Sequence, residues 1–388
     1  MENISTTIFG FSTYDTVCIA LAITIIVLFI IQLALYFNLY GRIASFRMMD
    51  KRPIRESEPA ISVIVPMFVE DSYYLDTTLA TLLTQDYKEF EVVLIYVGKS
   101  DDFFNEIKSL QKLYPNLTPI QIDYSPRYPV STKIALNVGI KSAKYDFIVT
   151  TSYDAAPSSE RWLSLLAKGF LYGDVVLGYS GIVRKEGFAN FIFREYQINK
   201  SLAWISAAIR GKAYAGSRNA LGFKKELYFN VRGFNHLDMN AGEDDLFVQQ
   251  IATPDNVSVV LSPRATCIEQ TWGGFAWWLR KMQMLRETRR FYKRGVTAKS
   301  TAELVMRTLF FIAVLAAIIV LPWEFKAIPI AVAVVRYLLS FYLFVRNTRR
   351  LGEEGLSSRH IIYDFIEPAL RLFVIVAPLT KGSNTYQN

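Results

Sequence analysis

Residues 17–37, VCIALAITIIVLFIIQLALYF, form an uninterrupted apolar run without a charged side chain. As a helix rising about 1.5 Å per residue, a run of this length crosses roughly 30 Å of hydrocarbon. The residues before it contain no Lys or Arg, whereas a cleaved signal peptide begins with a positively charged region. The run predicts an uncleaved membrane-spanning helix, and residues 1–45 are interpreted as an N-terminal transmembrane anchor.

Two further apolar runs, residues 304–321 and 328–345, flank a short turn and predict a helical hairpin in the membrane. Basic residues lie on both outer flanks of this hairpin and directly after the anchor. Cytoplasmic flanks of spans are enriched in Lys and Arg, so the pattern predicts a multi-pass cell-membrane protein with its N-terminus outside and residues 41–300 in the cytoplasm. Much of the net charge of +8 lies beside these spans, which indicates membrane lipids rather than nucleic acid as the partner.

The tail, residues 361–379, is apolar but contains Asp364, Glu367, Pro368 and Arg371. A fourth span with a polar face and an amphipathic helix at the membrane interface are both consistent with this pattern. Residues 301–388 are therefore interpreted as a C-terminal transmembrane region in which the placement of the last helix is open.

Residues 46–270 alternate between strand-like and helix-like patterns. Short apolar or β-branched runs at residues 61–66, 90–97, 119–122 and 145–150 are typical of buried strands, and amphipathic segments separate them. This rhythm predicts an α/β domain with a mostly parallel sheet covered on both faces. Ligands of such sheets bind at the carboxyl ends of the strands, so the residues that follow each strand are the candidates for a site.

Four segments of this region carry recognisable motifs in a fixed order. They read VIVPMFVEDSYYLDTTLATLLTQDYKEFEVVLI, STKIALNVGIKSAKYDFIVTTSYDAAP, GSRNALGFKKELYFNVRGF and AGEDDLFVQQIA. Together they resemble membrane-embedded family 2 glycosyltransferases, the broad group that includes cellulose, chitin and hyaluronan synthases. The resemblance covers about residues 58–290 and implies a GT-A fold, Rossmann-like, as the cytoplasmic domain between the spans.

This resemblance also implies an activity. An inverting glycosyltransferase would move a sugar from a nucleotide-diphospho-sugar to a lipid-linked or polysaccharide acceptor at the cytoplasmic membrane face. A divalent cation, Mg²⁺ or Mn²⁺, usually neutralises the charge of the departing diphosphate. A positioned carboxylate removes the proton of the acceptor hydroxyl.

The segment Glu243-Asp244-Asp245 is the candidate catalytic motif. The resemblance implies Asp244 as the general base, with Glu243 beside it. Adjacent acids raise one another's proton affinity, which suits a base if the site is partly buried. A solvated acidic start of a helix is the alternative interpretation.

The segment Ser152-Tyr153-Asp154 stands where the family carries two acids around one residue. The resemblance implies Asp154 as the metal ligand and a donor contact. Ser152 replaces the first acid and offers only a hydroxyl for the ribose. The alternative interpretation of Asp154 is a loop aspartate that caps the following helix.

Three further donor contacts are implied in the same domain. Glu70 matches the Glu of the opening motif, and Lys133 matches a lysine at a helix start, although a solvated lysine is equally ordinary. The family ends its second strand with an acidic pair that contacts the base, but here the positions are Tyr96 and Val97. Asp101 is close enough in sequence to substitute; otherwise the pocket takes a different base or no nucleotide.

Residues 271–300 are interpreted as an amphipathic interfacial segment. Gln283 and Arg286 match three quarters of the family's Gln-x-x-Arg-Trp element, which holds the diphosphate, and Glu287 occupies the Trp position. Trp277 and its neighbours are near enough to supply an aromatic platform. An interfacial helix with Trp and Arg at the headgroups explains the same residues without a donor role.

The departures from the family pattern leave a second hypothesis. With Tyr96 and Val97, Ser152 and Glu287 at motif positions, the chain is also consistent with a catalytically inactive glycosyltransferase-like scaffold, a regulatory protein partner in an envelope polysaccharide assembly. The retained Asp154 and Asp244 favour the enzyme.

Overall fold

The computed structural model describes residues 7–8, 11–48, 53–124, 127, 130–234, 239, 241–271 and 273–377. Its helices are α1 Thr13–Tyr40, α2 Ser72–Tyr74, α3 Ala80–Leu83, α4 Asp101–Leu113, α5 Thr132–Ser142, α6 Trp162–Phe170, α7 Phe188–Ile209, α8 Lys225–Asn230, α9 Leu246–Ile251, α10 Phe275–Arg289, α11 Ala298–Val320, α12 Ala327–Leu351 and α13 His360–Val376. A π-helical turn, Leu75–Leu79, makes α2 and α3 continuous. The strands are β1 Thr7–Ile8, β2 Phe11–Ser12, β3 Ile61–Met67, β4 Phe90–Val97, β5 Leu117–Ile122, β6 Phe147–Thr150, β7 Ala155–Pro157, β8 Val175–Leu177, β9 Ser180–Ile182, β10 Leu221–Lys224, β11 Val257–Val259 and β12 Cys267–Glu269.

The central sheet has the strand order β11-β8-β10-β6-β3-β4-β5. Strands β6, β3, β4 and β5 run parallel to one another, while β10 runs antiparallel to β6 and β8. Every residue of β3 is buried, as is all of β4 after its first residue, which explains why their sequences are continuous apolar runs. The predicted α/β domain with a mostly parallel sheet is confirmed, and the four parallel strands end at one edge.

Helices cover both faces of this sheet. Along β3, Ile64 packs into one apolar cluster with α5, α7 and α9, while Val63 and Val65 pack into the other with α3, α4 and α6. Side chains alternate between the two faces because successive residues of a strand point in opposite directions. The sheet is thereby buried between two layers, which fixes the positions of the loops at its edge.

A second, three-stranded sheet in the order β7-β12-β9 lies after the carboxyl end of β6. Strand β12 pairs antiparallel with β7, so that Glu269 is opposite Ala155. The backbone N–H of Gln270 donates to the carbonyl oxygen of Asp154 at 2.7 Å. This pairing brings the segment after β6 against the last residue of β12.

Three helices in the described part of the chain are long and apolar enough to cross a membrane: Tyr14–Tyr40, Ala298–Val320 and Trp323–Leu351. They contain most or all of the three runs identified in the sequence. Ile25 of α1 packs against Phe310 and Val314 of α11, and the hydroxyl of Tyr14 donates to the carbonyl oxygen of Val320 at 2.7 Å. The anchor and the hairpin therefore form one helical bundle. The sidedness of these helices and the bounds of the four predicted domains stay predictions.

The last helix, α13, is joined to this bundle by buried charged residues. Arg307 of α11 binds both Asp364 and Glu367 of α13, and Arg336 of α12 binds Asp364. Arg371 and Glu303 lie at the edges of the same group, which has three positive and three negative side chains. Five of these six residues are at most 4% exposed, and the sixth, Arg371, has a side chain that is 25% exposed. The buried charges are therefore compensated within the protein rather than by water.

Candidate active site

A cleft of about 1030 Å³ opens at the carboxyl edge of the central sheet. One wall follows strands β3 and β4 and includes Glu70 and Tyr96. The second holds the acids Asp154, Glu243, Asp244 and Glu269. The third consists of one face each of α7 and α10. The sequence-based expectation that ligand-facing residues follow the parallel strands is met by Glu70 after β3, Lys99 after β4 and Asp154 after β6. The other three acids do not follow strands of this parallel set.

Asp154 lies directly after β6 and is 5% exposed. The hydroxyl of Ser152 donates to its carboxylate, and the Ser152 oxygen lies 2.7 Å from the side-chain oxygen of Asn219. Burial raises the pKa of Asp154, and the neighbouring Glu269 carboxylate raises it further, while Arg218 and Ser152 oppose the shift. Ser152 therefore has a definite contact in the site: it orients the acid that remains.

Glu269 at the end of β12 is the second acid beside Asp154, and the sequence analysis did not identify it. It forms an ion pair with Lys281 of α10. Burial pushes the pKa of Glu269 upward, but Lys281 and Arg218 outweigh this effect, and the pKa is lowered overall. Glu269 is thus charged at neutral pH, and its charge increases the cost of ionising Asp154.

These two carboxylates can be compared with what a divalent cation needs. No group of three or more His, Cys, Asp or Glu side chains in the described residues is arranged to hold a metal ion. Mg²⁺ in nucleotide sites commonly takes only one or two carboxylates and completes its coordination with phosphates and water. Asp154 and Glu269, held side by side by the β7–β12 pairing, fit that smaller donor set.

The segment 243–245 gives its three acids three different environments. Asp245 accepts hydrogen bonds from the backbone N–H of Leu246 and the hydroxyls of Thr288 and Tyr292, each at 2.6 Å, so it is a structural residue that ties α9 to the end of α10. Glu243 pairs with Arg218 at 3.2 Å through one oxygen. The other oxygen, Oε2, is buried without a hydrogen-bond partner in the described part of the chain.

Asp244, between them, faces the cleft. Removal from water, followed by the charges of Asp245 and Glu243, raises its pKa to about 7, while Lys200 of α7 and Arg218 oppose the shift. A carboxylate with a pKa near the working pH is suited to accept a proton during a reaction. Burial and like charges therefore give Asp244 the properties expected of a general base.

The remaining predicted donor contacts divide into two groups. Glu70 lines the cleft, whereas Asp101 lies exposed in the first turn of α4 and is not part of the lining. Lys133 is fully buried, and its amino group lies 3.3 Å from where a Cβ on Gly242 would be, next to the segment 243–245. It supports that loop from behind, and a role in donor binding stays a prediction for Lys133 and Asp101.

The cleft face of α10 differs from the predicted one. Trp277, Lys281 and Met284 line the cleft with spacings of four and three residues, together with Arg280 and Leu285. Gln283 is buried outside the lining, and Arg286 donates to the carbonyl oxygen of Val374 in α13 at 3.4 Å. The structure thus brings Lys281, not the predicted pair, next to the acids.

The aromatic residues of this region also separate. Trp277 lines the cleft, whereas Trp278 is buried and stacks on Phe193 with ring centroids 5.6 Å apart. Trp272 lies outside the described residues. The sequence analysis did not identify three cations of the cleft, Lys200, Arg218 and Lys281, because no sequence motif connects them. For Lys281 alone, the i, i+4, i+7 spacing of Trp277, Lys281 and Met284 on one helix face could have indicated a place in the cleft.

Comparison with solved structures finds matches at low sequence identity. A mannosyltransferase, PcManGT from Pyrobaculum calidifontis, solved with GDP-Man and Mn²⁺, is 18% identical with a TM-score of 0.53, and the match covers 89% of this chain and 99% of that one. The TarS 1–349 structure from S. aureus in complex with UDP-GlcNAc is also 18% identical, with a TM-score of 0.41 over 76% of this chain and 92% of that one. No curated protein sequence matches the chain.

A family model extends over most of the chain. The model of glycosyl transferase family 21 matches residues 20–361, from within α1 to the start of α13. The match includes every acid of the cleft and both helices of the hairpin. The expected glycosyltransferase relation is thereby confirmed, but under a different family from the one whose motifs the sequence resembles. The chain belongs to glycosyl transferase family 21.

Proposed function

We propose that this chain is an inverting glycosyltransferase that moves a sugar from a nucleotide-diphospho-sugar to an acceptor hydroxyl at the cytoplasmic face of the membrane. The single observation that carries the proposal is the position of Asp244. Its pKa is raised to about 7 in the same cleft that holds Asp154. The order of the motifs supports a relation to the family 2 membrane synthases as well.

The chemistry assigns one role to each side of the cleft. The acceptor oxygen attacks the anomeric carbon from the face opposite the diphosphate, and its proton passes to the carboxylate of Asp244. The bond between the anomeric carbon and the diphosphate oxygen breaks, and the diphosphate leaves with the electron pair. Attack from the opposite face inverts the anomeric configuration.

The leaving diphosphate needs positive charge. Lys281, Arg218 and Lys200 are the cations that act on the acids of the cleft. Asp154 and Glu269 would hold a divalent cation, which when bound supplies further neutralisation of the phosphate charge. PcManGT was solved with GDP-Man and Mn²⁺, so GDP-mannose with Mn²⁺ is the first donor and metal to test.

A lipid-linked acceptor is favoured by the third wall of the cleft. Trp204 of α7 and Trp277, Met284 and Leu285 of α10 contribute apolar side chains to this wall, beside polar ones that include Lys200, Arg280 and Lys281. Helix α7 contacts the membrane helix α1, and α10 packs against α13, where the rings of Phe275 and Phe373 are 5.9 Å apart. An acceptor whose reactive hydroxyl sits at the end of a lipid could reach Asp244 along this wall.

Calorimetric titration of GDP and UDP into the purified full-length protein, with and without Mn²⁺, tests the enzyme. We expect binding of one nucleotide that depends on Mn²⁺ and is lost in Asp154→Ala but kept in Asp102→Ala, which changes an exposed acid outside the cleft. Donor hydrolysis or transfer should then require Asp244. A folded protein that binds neither nucleotide under any metal condition would favour the inactive scaffold, which the replacements at Ser152 and Tyr96 also suggest.

A further inference from the structure

The cleft has a corner that the catalytic acids do not occupy. Strands β3, β4 and β5 are adjacent and parallel, so their carboxyl ends meet there. Phe68 after β3, Val97 and Lys99 at the end of β4, and Tyr124 after β5 all line it. Flat apolar and aromatic walls are the surroundings in which a nucleobase stacks.

Tyr96 and Glu70 place a carboxylate in this corner. The ring of Tyr96 is 1% exposed and packs edge-on against Phe103 of α4, with centroids 5.2 Å apart. It passes so close over Gly98 that a Cβ there would lie 2.1 Å from the Tyr96 hydroxyl oxygen. The hydroxyl donates to Oε1 of Glu70 at 2.7 Å and accepts from the backbone N–H of Ser100 at 3.3 Å.

The hydroxyl of Tyr96 thus donates one hydrogen bond and accepts another, whereas the carboxylate of Glu70 still has acceptor positions to offer. A carboxylate has about four acceptor positions, and Tyr96 uses one of them. Burial, together with the bond to Glu70, raises the pKa of Tyr96 to about 12, so the phenol keeps its proton and remains a donor to Glu70. Tyr96 therefore anchors Oε1 of the exposed Glu70 carboxylate, which keeps acceptor capacity for a ligand.

We infer that Glu70 reads the nucleobase of the donor, and that Tyr96 is the positioning residue that orients it. This inference rests on the proposed function. Glu70 would supply the carboxylate that Tyr96 and Val97 lack at the end of β4. The ligand is a nucleoside diphosphate whose base presents a ring N–H beside a carbonyl group.

The chemistry of the bases makes this selective. Uracil offers its N3–H and guanine its N1–H and exocyclic amino group, and a carboxylate accepts from each. Cytosine and adenine have an unprotonated ring nitrogen at the corresponding position, whose lone pair would face the carboxylate where uracil and guanine donate a hydrogen bond. We expect UDP or GDP to bind at least about tenfold more tightly than CDP and ADP, since one such mismatch costs at least one hydrogen bond to a charged group.

Competition binding with UDP, GDP, CDP and ADP in the presence of Mn²⁺ tests the inference on the wild type and three variants. Glu70→Gln replaces an acceptor-only group by one that also donates, so the preference among the four bases should fall to about threefold or less. Tyr96→Phe removes only the orienting hydroxyl and should reduce the preference partly while Mn²⁺-dependent binding remains. Asp101→Asn changes the competing exposed acid on α4 and should leave the base preference unchanged if Glu70 is the residue that reads the base.

The outcomes separate this inference from the proposed function. If a nucleotide binds with Mn²⁺ and needs Asp154, but all four bases bind alike or Glu70→Gln keeps the preference, the transferase stands and the base reader is wrong. A collapse of the preference in Asp101→Asn alone would assign the role to Asp101. If no nucleoside diphosphate binds to the folded wild type, both the inference and the proposed function fail. Equal thermal unfolding of the variants and the wild type excludes a folding defect.

Discussion

Lys281 of α10 forms an ion pair with Glu269 of β12 in the lining of the cleft. The Glu269 side chain is 6% exposed and the Lys281 side chain 24% exposed, so the lysine is the member that reaches water. The pair joins the small sheet, which begins directly after Asp154, to helix α10, which forms part of the third wall of the cleft. It also holds a cation where a diphosphate would need one, and this double role can be separated by mutation.

Lys281→Met should weaken nucleoside diphosphate binding about 10- to 100-fold, because one charge-assisted contact to phosphate contributes about 1.5–3 kcal/mol. The variant should also unfold more easily, by about 2 kcal/mol, since Glu269 then stays buried without its partner. Calorimetry and thermal unfolding in detergent measure the two effects.

The double variant Lys281→Met with Glu269→Gln is compared with Glu269→Gln alone, because both lack the same proposed metal ligand. Neutralising both members should recover most of the stability, but the nucleotide affinity should stay below that of Glu269→Gln, and Lys281→Arg should keep both. A double variant that binds nucleotide as tightly as Glu269→Gln would mean that Lys281 acts only by holding the fold.

The pH dependence of the reaction should follow Asp244. Its carboxyl must be ionised to accept a proton, so kcat/KM should fall about tenfold per pH unit below roughly pH 7 and level off above it. Asp244→Asn should abolish transfer at every pH while Mn²⁺-dependent nucleotide binding persists. A profile that is flat from pH 5.5 to 8 would remove Asp244 from the role of base.

The same residue should have an opposite effect on stability. A carboxyl whose pKa rises from 3.8 to about 7 on folding binds its proton more tightly in the folded state, so stability decreases as pH rises between these values and the full penalty is present above the upper one. Asp244→Asn should therefore unfold at a higher temperature than the wild type at pH 8, with a smaller difference at pH 5. A variant that is inactive but more stable is expected if the carboxylate of Asp244 is needed for the reaction and its buried charge destabilises the fold.

Ser152→Ala should weaken metal binding rather than abolish it. The Ser152 hydroxyl donates to Asp154 and lowers its pKa, so its loss favours the protonated acid, which cannot bind a cation. We expect the Mn²⁺ affinity, measured by electron paramagnetic resonance with nucleotide present, to fall about 3- to 10-fold at pH 6 and less at pH 8. Ser158→Ala removes an exposed hydroxyl after β7 and should behave as the wild type; equal affinity of the two variants would show that Ser152 does not assist Asp154.

The parts of the fold that the sequence predicts are those with a strong local signal. Strand β4 was placed with its observed bounds, and β3 to within one residue, because a strand buried on both faces must be apolar throughout. Strands β8 and β11 have three residues each, and β10 has four, including Gly222. Runs this short carry no period, and only pairing with their neighbours makes them strands.

The candidate site divides in the same way. Asp154 and Asp244 stand in motifs, Asp154 four residues after β6 and Asp244 just before α9, so the sequence identifies them as candidates. The ion pair of Glu269 with Lys281 depends on how the chain turns from β12 into α10, which no motif records. The hydrogen bond between Tyr96 and Glu70 likewise depends on the pairing of β3 with β4. Arg286 was predicted as a donor contact from its place in a motif, but it lies on the face of α10 toward α13. The sequence motif does not determine which face of α10 is turned toward the cleft.

The buried charges of α13 make the last prediction. Arg336 binds Asp364, and its Nε donates to the side-chain oxygen of Gln32 in α1 at 2.9 Å. The carboxylate of Asp364 is shared with Arg307, so Arg336→Met leaves the buried group with an unbalanced negative charge. We expect a loss of about 3–5 kcal/mol in unfolding free energy, and faster proteolysis of the tail because α13 loses a link to the hairpin.

Arg346→Met is the control on the same helix. Arg346 contacts Tyr342, and both side chains are exposed or half-buried, so this change should cost less than about 0.5 kcal/mol. Combining Arg336→Met with Asp364→Asn should recover part of the loss, since the cluster is then neutral again. If Arg336→Met is as stable as Arg346→Met in detergent and in lipid nanodiscs, the charges do not hold α13. The last helix would then bind the bundle through its apolar face alone, as an interfacial helix would.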